Sequence, residues 1–165
     1  MRFITLILIT LLCFSSCKSS KRTTVVTKKE KEKIQFENNT VATIIETAQA
    51  FEGVRYRYGG SSKKGMDCSG LVVTAFKSED IALPRTTNAL STSGDWIDLK
   101  QVSKGDLLFF ATKKNSRKVN HVGIVTDIKD ETVEFIHSTT SKGVITSKLS
   151  ERYWYLAFVQ ARRVL

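Results

Sequence analysis

A cluster of helix breakers followed at once by an apolar helical stripe constrains this chain most. Gly59-Gly60, Ser61-Ser62 and Gly65 resist regular structure; Leu71, Val72, Ala75 and Phe76 then recur at helical spacing. The pattern predicts a buried helix running to about Lys77, with Cys68 in its first turn. Unpaired backbone N–H groups and the positive end of the helix dipole favour a thiolate there, so a lowered thiol pKa is expected. The competing reading is a small inert core residue, because free cysteines are often buried.

The first residues are read as a targeting segment. Arg2 precedes an apolar run, Phe3 to Phe14, too short to span a bilayer and suited to a signal-peptide core. Phe14-Ser15-Ser16-Cys17 resembles a bacterial lipobox, with Phe14 where Leu is commoner. That resemblance implies a lipoprotein signal peptide over residues 1–16 and a lipid on Cys17, with a plain secretory peptide as the alternative. Cys13 would leave with the signal, making Cys68 the single thiol of the exported chain. One cysteine forms no intramolecular disulfide, and a lone thiol in an oxidising compartment argues for chemistry.

The formal net charge of +10 is unevenly placed. Lys18, Lys21, Arg22, Lys28, Lys29, Lys31 and Lys33 face only Glu30 and Glu32, which accounts for about half of the excess. Without apolar periodicity, residues 17–38 read as a disordered basic tether carrying the lipidated Cys17, able to touch anionic headgroups. Nucleic acid is not an expected partner. Residues 39–165 remain, about 125 residues, enough for one domain with one core.

Within that domain, Asn38 or Asn39 is expected to cap a helix carrying Val41, Ile44, Ile45, Ala48 and Phe51, ending near Gly53. Val54 to Tyr58 reads as a short extended stretch, and Thr86 as the cap of a short helix after Pro84. Five strands are expected: Leu107–Phe110, His121–Thr126, Val133–His137, Val144–Ser147 and Tyr155–Val164. Helices first and strands afterwards indicate an α+β fold, with helices packed on one face of a mostly antiparallel sheet. The basic loop Lys113–Lys118 reads as solvated, with a greeting site for an anionic substrate as the second reading.

The two histidines lie sixteen residues apart, one beginning a strand and one ending the next. In an antiparallel hairpin turning near Asp130 their ends meet. One ring can then take the proton of Cys68 while the other holds its partner's opposite nitrogen, the nucleophile–base–orienter arrangement of covalent catalysis. Two histidines supply a zinc site poorly, and neither metal nor cofactor is expected.

Tyr56-Arg57-Tyr58-Gly59-Gly60, Gly65-Met66-Asp67-Cys68-Ser69-Gly70-Leu71-Val72, Leu83-Pro84-Arg85-Thr86, Lys104-Gly105-Asp106-Leu107-Leu108-Phe109-Phe110, His121-Val122-Gly123-Ile124-Val125 and Ile136-His137-Ser138 resemble the NlpC/P60 family of cell-wall cysteine peptidases. The blocks cover nearly everything after the tether, in the family's order. The small size and the ending from Glu151 to Leu165 are similar to the small outer-membrane lipoprotein murein endopeptidases of Gram-negative bacteria. The resemblance implies a papain-like fold, with Cys68 as nucleophile, His121 as base and His137 as the polar group that orients it. Tyr56 matches a tyrosine whose hydroxyl binds the oxyanion beside the Cys68 backbone N–H, while Tyr58 reads as packing. Asp67 and Ser69 fall on the substrate floor or act as local helix caps. Arg85 is a substrate contact or a structural ion pair. Ser138, where many relatives have Ala, departs from the pattern and bears on the floor of the cleft.

The activity implied is hydrolysis of an amide in peptidoglycan stem peptides, with the D-alanyl–diaminopimelate crosslink preferred over the γ-D-glutamyl–diaminopimelate bond. A non-catalytic wall-binding lipoprotein and an amidase or acyltransferase acting on lipid or a small molecule are the rivals. The expected setting is the periplasmic face of the outer membrane, as a lipid-anchored monomer.

Overall fold

Thr27 starts the first helix: its hydroxyl accepts the Glu30 N–H, capping α1, Lys28–Gln49. The computed structural model describes residues 27–165. The helix begins well before the expected cap at Asn38 or Asn39, so residues 28–38 are helical where a disordered tether was expected. Its early turns carry no apolar stripe. They are spanned by the exposed i,i+4 pairs Lys28–Glu32 and Lys33–Glu37 and by a Gln35–Asn39 side-chain hydrogen bond. Only Ile44, Ile45 and Ala48 of α1 are buried. The signal segment, Cys17 and the rest of the tether lie outside the described residues.

After α1 come a small hairpin, β1 (Ser61–Ser62) and β2 (Gly65–Met66), then α2 (Cys68–Lys77) and α3 (Thr87–Leu90). Thr86 caps α3 as the sequence predicts. Val54–Tyr58 forms no strand; it contributes a single parallel bridge, Tyr56 to Met66. The remaining strands are β3 (Asp95–Ile97), β4 (Leu107–Phe110), β5 (His121–Lys129), β6 (Thr132–Thr139), β7 (Gly143–Lys148) and β8 (Phe158–Arg163). They form one antiparallel six-stranded sheet in the order β3-β8-β4-β5-β6-β7. The expected last strand is divided: Tyr155 to Ala157 belong to a short helix, α4 (Arg152–Ala157), and the strand starts only at Phe158.

The continuous apolar run of β4 follows from burial on both faces. Leu107 and Phe109 pack with Ile44, Leu71, Val72, Phe76, Val122 and Ile124 under α1 and α2. Leu108 and Phe110 point the other way, into a second core with Val125, Phe135, Trp154 and Ala161. So α4 covers the face that the sequence reading left open. Asp106, nearly inaccessible, holds β8 against the start of β4: Arg163 donates to both of its oxygens, at 2.8 and 2.7 Å. That contact raises the Arg163 pKa.

The β5–β6 hairpin turns through Asp130 and Glu131, both at positive φ (48° and 60°), between the paired residues Lys129 and Thr132. A two-residue turn of this hand matches the twist of the strands. Two glycines are dictated by close approach. A Cβ on Gly70 would lie 2.1 Å from the Gly60 carbonyl oxygen, and one on Gly123 would lie 2.6 Å from the Phe135 ring and 3.2 Å from the His137 Cβ. The first lets α2 press on the glycine loop. The second lets the aromatic and histidine side chains of β6 lie over β5.

Gly70→Ala is therefore expected to lose about 3 kcal/mol of stability or more, because the obstacle is backbone. Urea unfolding of this variant beside wild type measures the loss.

Candidate active site

Cys68 is buried and is the first residue of α2. The helix is capped by Asp67, whose Oδ1 accepts the Gly70 N–H at 2.7 Å. The other oxygen, Oδ2, accepts the Gly59 N–H at 2.7 Å. Arg85 closes on the same carboxylate from outside, at 2.9 Å to Oδ1 and 3.0 Å to Oδ2, and also donates to Ser69 Oγ and the Gly60 carbonyl. Asp67, Ser69 and Arg85 thus use their polar atoms on each other and on the loop. The Ser138 hydroxyl donates to the Met66 carbonyl at 2.7 Å, tying β6 to the segment just before the cysteine. The departure at Ser138 thus adds a strut.

His121 and His137 come together as the hairpin predicts. His121 Nε2 lies 2.9 Å from His137 Nδ1, and both rings are buried. Val122, the residue after His121, offers its backbone N–H to the Cys68 thiol. The Thr87 hydroxyl lies 3.6 Å from Sγ. Tyr56 is half-buried; burial first, and then proximity to Cys68, raises its phenol pKa. Tyr58 is 90% exposed and does not pack, contrary to expectation.

Three neighbours of the site escaped the sequence reading. Thr87 is the first residue of α3, a short helix whose placement against the thiol is tertiary. Trp154 stacks on the His121 ring (5.4 Å, 22°) and meets the His137 ring edge-on at 4.5 Å; the sequence marks it only as part of the ending from Glu151 to Leu165. Ser147 Oγ lies 3.0 Å from His137 Nε2. Only the register of β5, β6 and β7 reveals that contact.

Burial dominates the electrostatics. It raises the Cys68 thiol pKa, although the Thr87 hydroxyl and the Val122 and Ser69 backbone N–H groups favour the thiolate. The expected lowering at the helix N-terminus is thereby overturned: the charged form loses more hydration than the site's donors return. Burial also lowers His121 to about 4, and burial together with His121 lowers His137 to about 3. The resting site is a protonated thiol beside two neutral imidazoles.

Residues 53–163 match the NlpC/P60 family. This chain belongs to that family. It is 38% identical to the probable endopeptidase NlpC of Escherichia coli K12 over 99% of this chain and 100% of that protein. It is 37% identical to the murein DD-endopeptidase MepS/murein LD-carboxypeptidase of the same strain, over 79% of this chain and 69% of that protein. The crystal structure of an NlpC/P60 family protein from Bacillus cereus superposes with a TM-score of 0.68 at 32% identity. It covers 76% of this chain but only 40% of its own. The α+β arrangement of helices on an antiparallel sheet is the NlpC/P60 fold, its six strands close to the expected count of about five.

The buried imidazoles make stability depend on pH. An unfolded chain protonates its histidines near 6.5, whereas the folded protein resists until about 4 and about 3. The unfolded state therefore binds more protons in this window, and stability falls as pH drops from about 6.5 towards 4, by on the order of a few kcal/mol. Thermal unfolding at pH 7 and 4.5 should show this loss in wild type and much less of it in a His121→Gln/His137→Gln protein. Equal losses would contradict the assignment.

Proposed function

We propose that this NlpC/P60 protein is a cysteine peptidase that hydrolyses peptidoglycan stem peptides, with Cys68 as nucleophile, His121 as base and His137 as its orienter. The observation that carries the reading is the buried His121–His137 pair at 2.9 Å, opening beside a thiol that the Val122 N–H reaches. His121 uses Nε2 on His137, which leaves Nδ1 to take a proton.

The reaction starts from neutral partners. As the Cys68 sulfur attacks the scissile carbonyl, its proton passes to His121 Nδ1, and the Thr87 hydroxyl and nearby backbone N–H groups receive the forming thiolate. The tetrahedral oxyanion is met by the Cys68 backbone N–H, which has no acceptor within the first turn of α2, and by the Tyr56 hydroxyl. The His121 imidazolium then gives its proton to the leaving amine, and a thioester remains on Cys68. Water loses a proton to His121 as it attacks the thioester, and the carboxyl product leaves with the thiol restored. Asp67, Ser69 and Arg85 keep the loop in place; the half-exposed Arg85 guanidinium is the one of the three open to a substrate carboxylate.

The bond we assign is the D-alanyl–diaminopimelate crosslink. Similarity to a murein DD-endopeptidase supports this choice. Cys17 carries a lipid in this reading and holds the enzyme at the periplasmic face of the outer membrane.

Digestion of diaminopimelate-crosslinked sacculi, followed by mass spectrometry, tests the activity. Crosslinked dimers should disappear with monomeric stems left intact, and Cys68→Ala should yield no products. His137→Ala should lower the rate by roughly 10²- to 10⁴-fold. Stems cut to L-Ala–D-Glu would move the bond to the γ-D-glutamyl–diaminopimelate position, and a fully active Cys68→Ala would end the mechanism. In cells, Cys17→Ala should release the protein from the membrane fraction; unchanged membrane retention would remove the anchor.

A further inference from the structure

The hydrogen-bonded histidines do not end at His137. The β6–β7 register pairs Phe135 with Ser147 and His137 with Ile145, so Ser147 is a diagonal neighbour of His137 on the same face. Its buried hydroxyl lies 3.0 Å from His137 Nε2. His121, His137 and Ser147 therefore form a row across three adjacent strands, from the cleft into the second core.

Such a row can be polarised in two ways. A neutral imidazole carries one N–H and one lone pair. If Ser147 accepts the His137 Nε2–H, then His137 Nδ1 accepts the His121 Nε2–H, and His121 Nδ1 presents a lone pair to the thiol. If Ser147 instead donates to His137 Nε2, every bond reverses, and His121 Nδ1 carries a hydrogen. The second arrangement has no base for Cys68. Proton transfer sharpens the requirement. Once His121 is protonated, both of its nitrogens are donors, so His137 must accept at Nδ1 and place its own hydrogen on Nε2. His137 is fully inaccessible to solvent, and that N–H needs an acceptor inside the protein. The Ser147 Oγ is the polar side-chain atom within its reach.

We propose that Ser147 is a positioning residue: by accepting the His137 Nε2–H it holds both histidines in the tautomers that leave His121 Nδ1 free to act as base. The proposal rests on the roles given above to Cys68 and His121. Its structural half stands without them, because the tautomers exist whether or not murein is cut.

The test uses the folded protein with ¹⁵N-labelled histidine, in wild type, Ser147→Ala and Ser147→Thr. Ring-nitrogen NMR near pH 7 reads which nitrogen of each ring is protonated. Wild type and Ser147→Thr should show the hydrogen on Nε2 of both rings. Ser147→Ala should move it to Nδ1 or populate both forms. In the sacculus digest, kcat for Ser147→Ala should fall roughly 10- to 100-fold with little change in KM, and Ser147→Thr should recover most of it. A wild-type His137 protonated on Nδ1 overturns the proposal by itself. So does a Ser147→Ala protein with wild-type tautomers and wild-type kcat. Wild-type protein that has the expected tautomers but cuts no murein would instead count against the assigned activity, leaving the orientation of the row established.

Discussion

The Asp67 carboxylate is the interaction on which the site depends. It accepts the Gly70 and Gly59 N–H groups, both at 2.7 Å, together with both arms of the Arg85 fork. A buried carboxylate is tolerated only when its lone pairs are so engaged. Engaged, it fixes four things at once: the start of α2, the glycine loop before it, the Ser69 side chain through Arg85, and the backbone of Cys68. Asp67 Oδ1 and the Gly60 carbonyl both lie so close to Gly70 that a side chain there has no room. The Cys68 backbone is thus held by its neighbours in sequence rather than by its own side chain.

The histidines are held differently. They belong to β5 and β6, so their separation is set by strand register and by a two-residue turn at Asp130-Glu131. Gly123 supplies the space in which the β6 side chains lie over β5, and Trp154 seals the row from the far side. The aromatic wall excludes water, and that exclusion keeps both rings neutral. Two constraints of different origin meet at one place: a helix cap anchored by charge, and a dry, register-locked pair of rings. The Ser138–Met66 hydrogen bond joins the two halves directly.

Much of this was legible in the sequence because the signals were local. The breakers at Gly59-Gly60 and Gly65, the apolar stripe after Cys68 and the β-branched alternation after His121 each name their element without help from the rest of the chain. The hairpin that brings His121 to His137 needed only its length. What failed was decided by tertiary contacts or by charge. The early turns of α1 rest on Lys–Glu and Gln–Asn pairs at i,i+4, which a search for apolar periodicity passes over. Tyr155 to Ala157 read as strand because aromatic and aliphatic residues suit both states; in the fold they continue the helix whose Trp154 packs against the histidines. Thr87 and Ser147 are ordinary polar residues whose neighbours are set by folding alone. The direction of the Cys68 pKa shift was misread for a related reason: the helix dipole can be read from position, whereas burial cannot.

The neutral resting site follows from the same burial and has a chemical consequence. A protonated thiol beside a neutral imidazole holds as many protons as a thiolate beside an imidazolium, so the two differ only in where one proton lies. In a dry site the separated charges are costly until something stabilises them. The stabilising groups are present but spread over five elements: the Thr87 hydroxyl, the Val122 N–H and the Ser69 N–H around sulfur, and the His137–Ser147 row behind His121. In the proposed reaction, charge therefore separates as the carbonyl arrives to share it. Oxidants attack the thiolate, so a cysteine kept protonated is also in the form least open to oxidation. One physical cause, the exclusion of water, thus accounts for both: Trp154 and the second core keep the rings neutral, and the first core around Cys68 restrains the thiol.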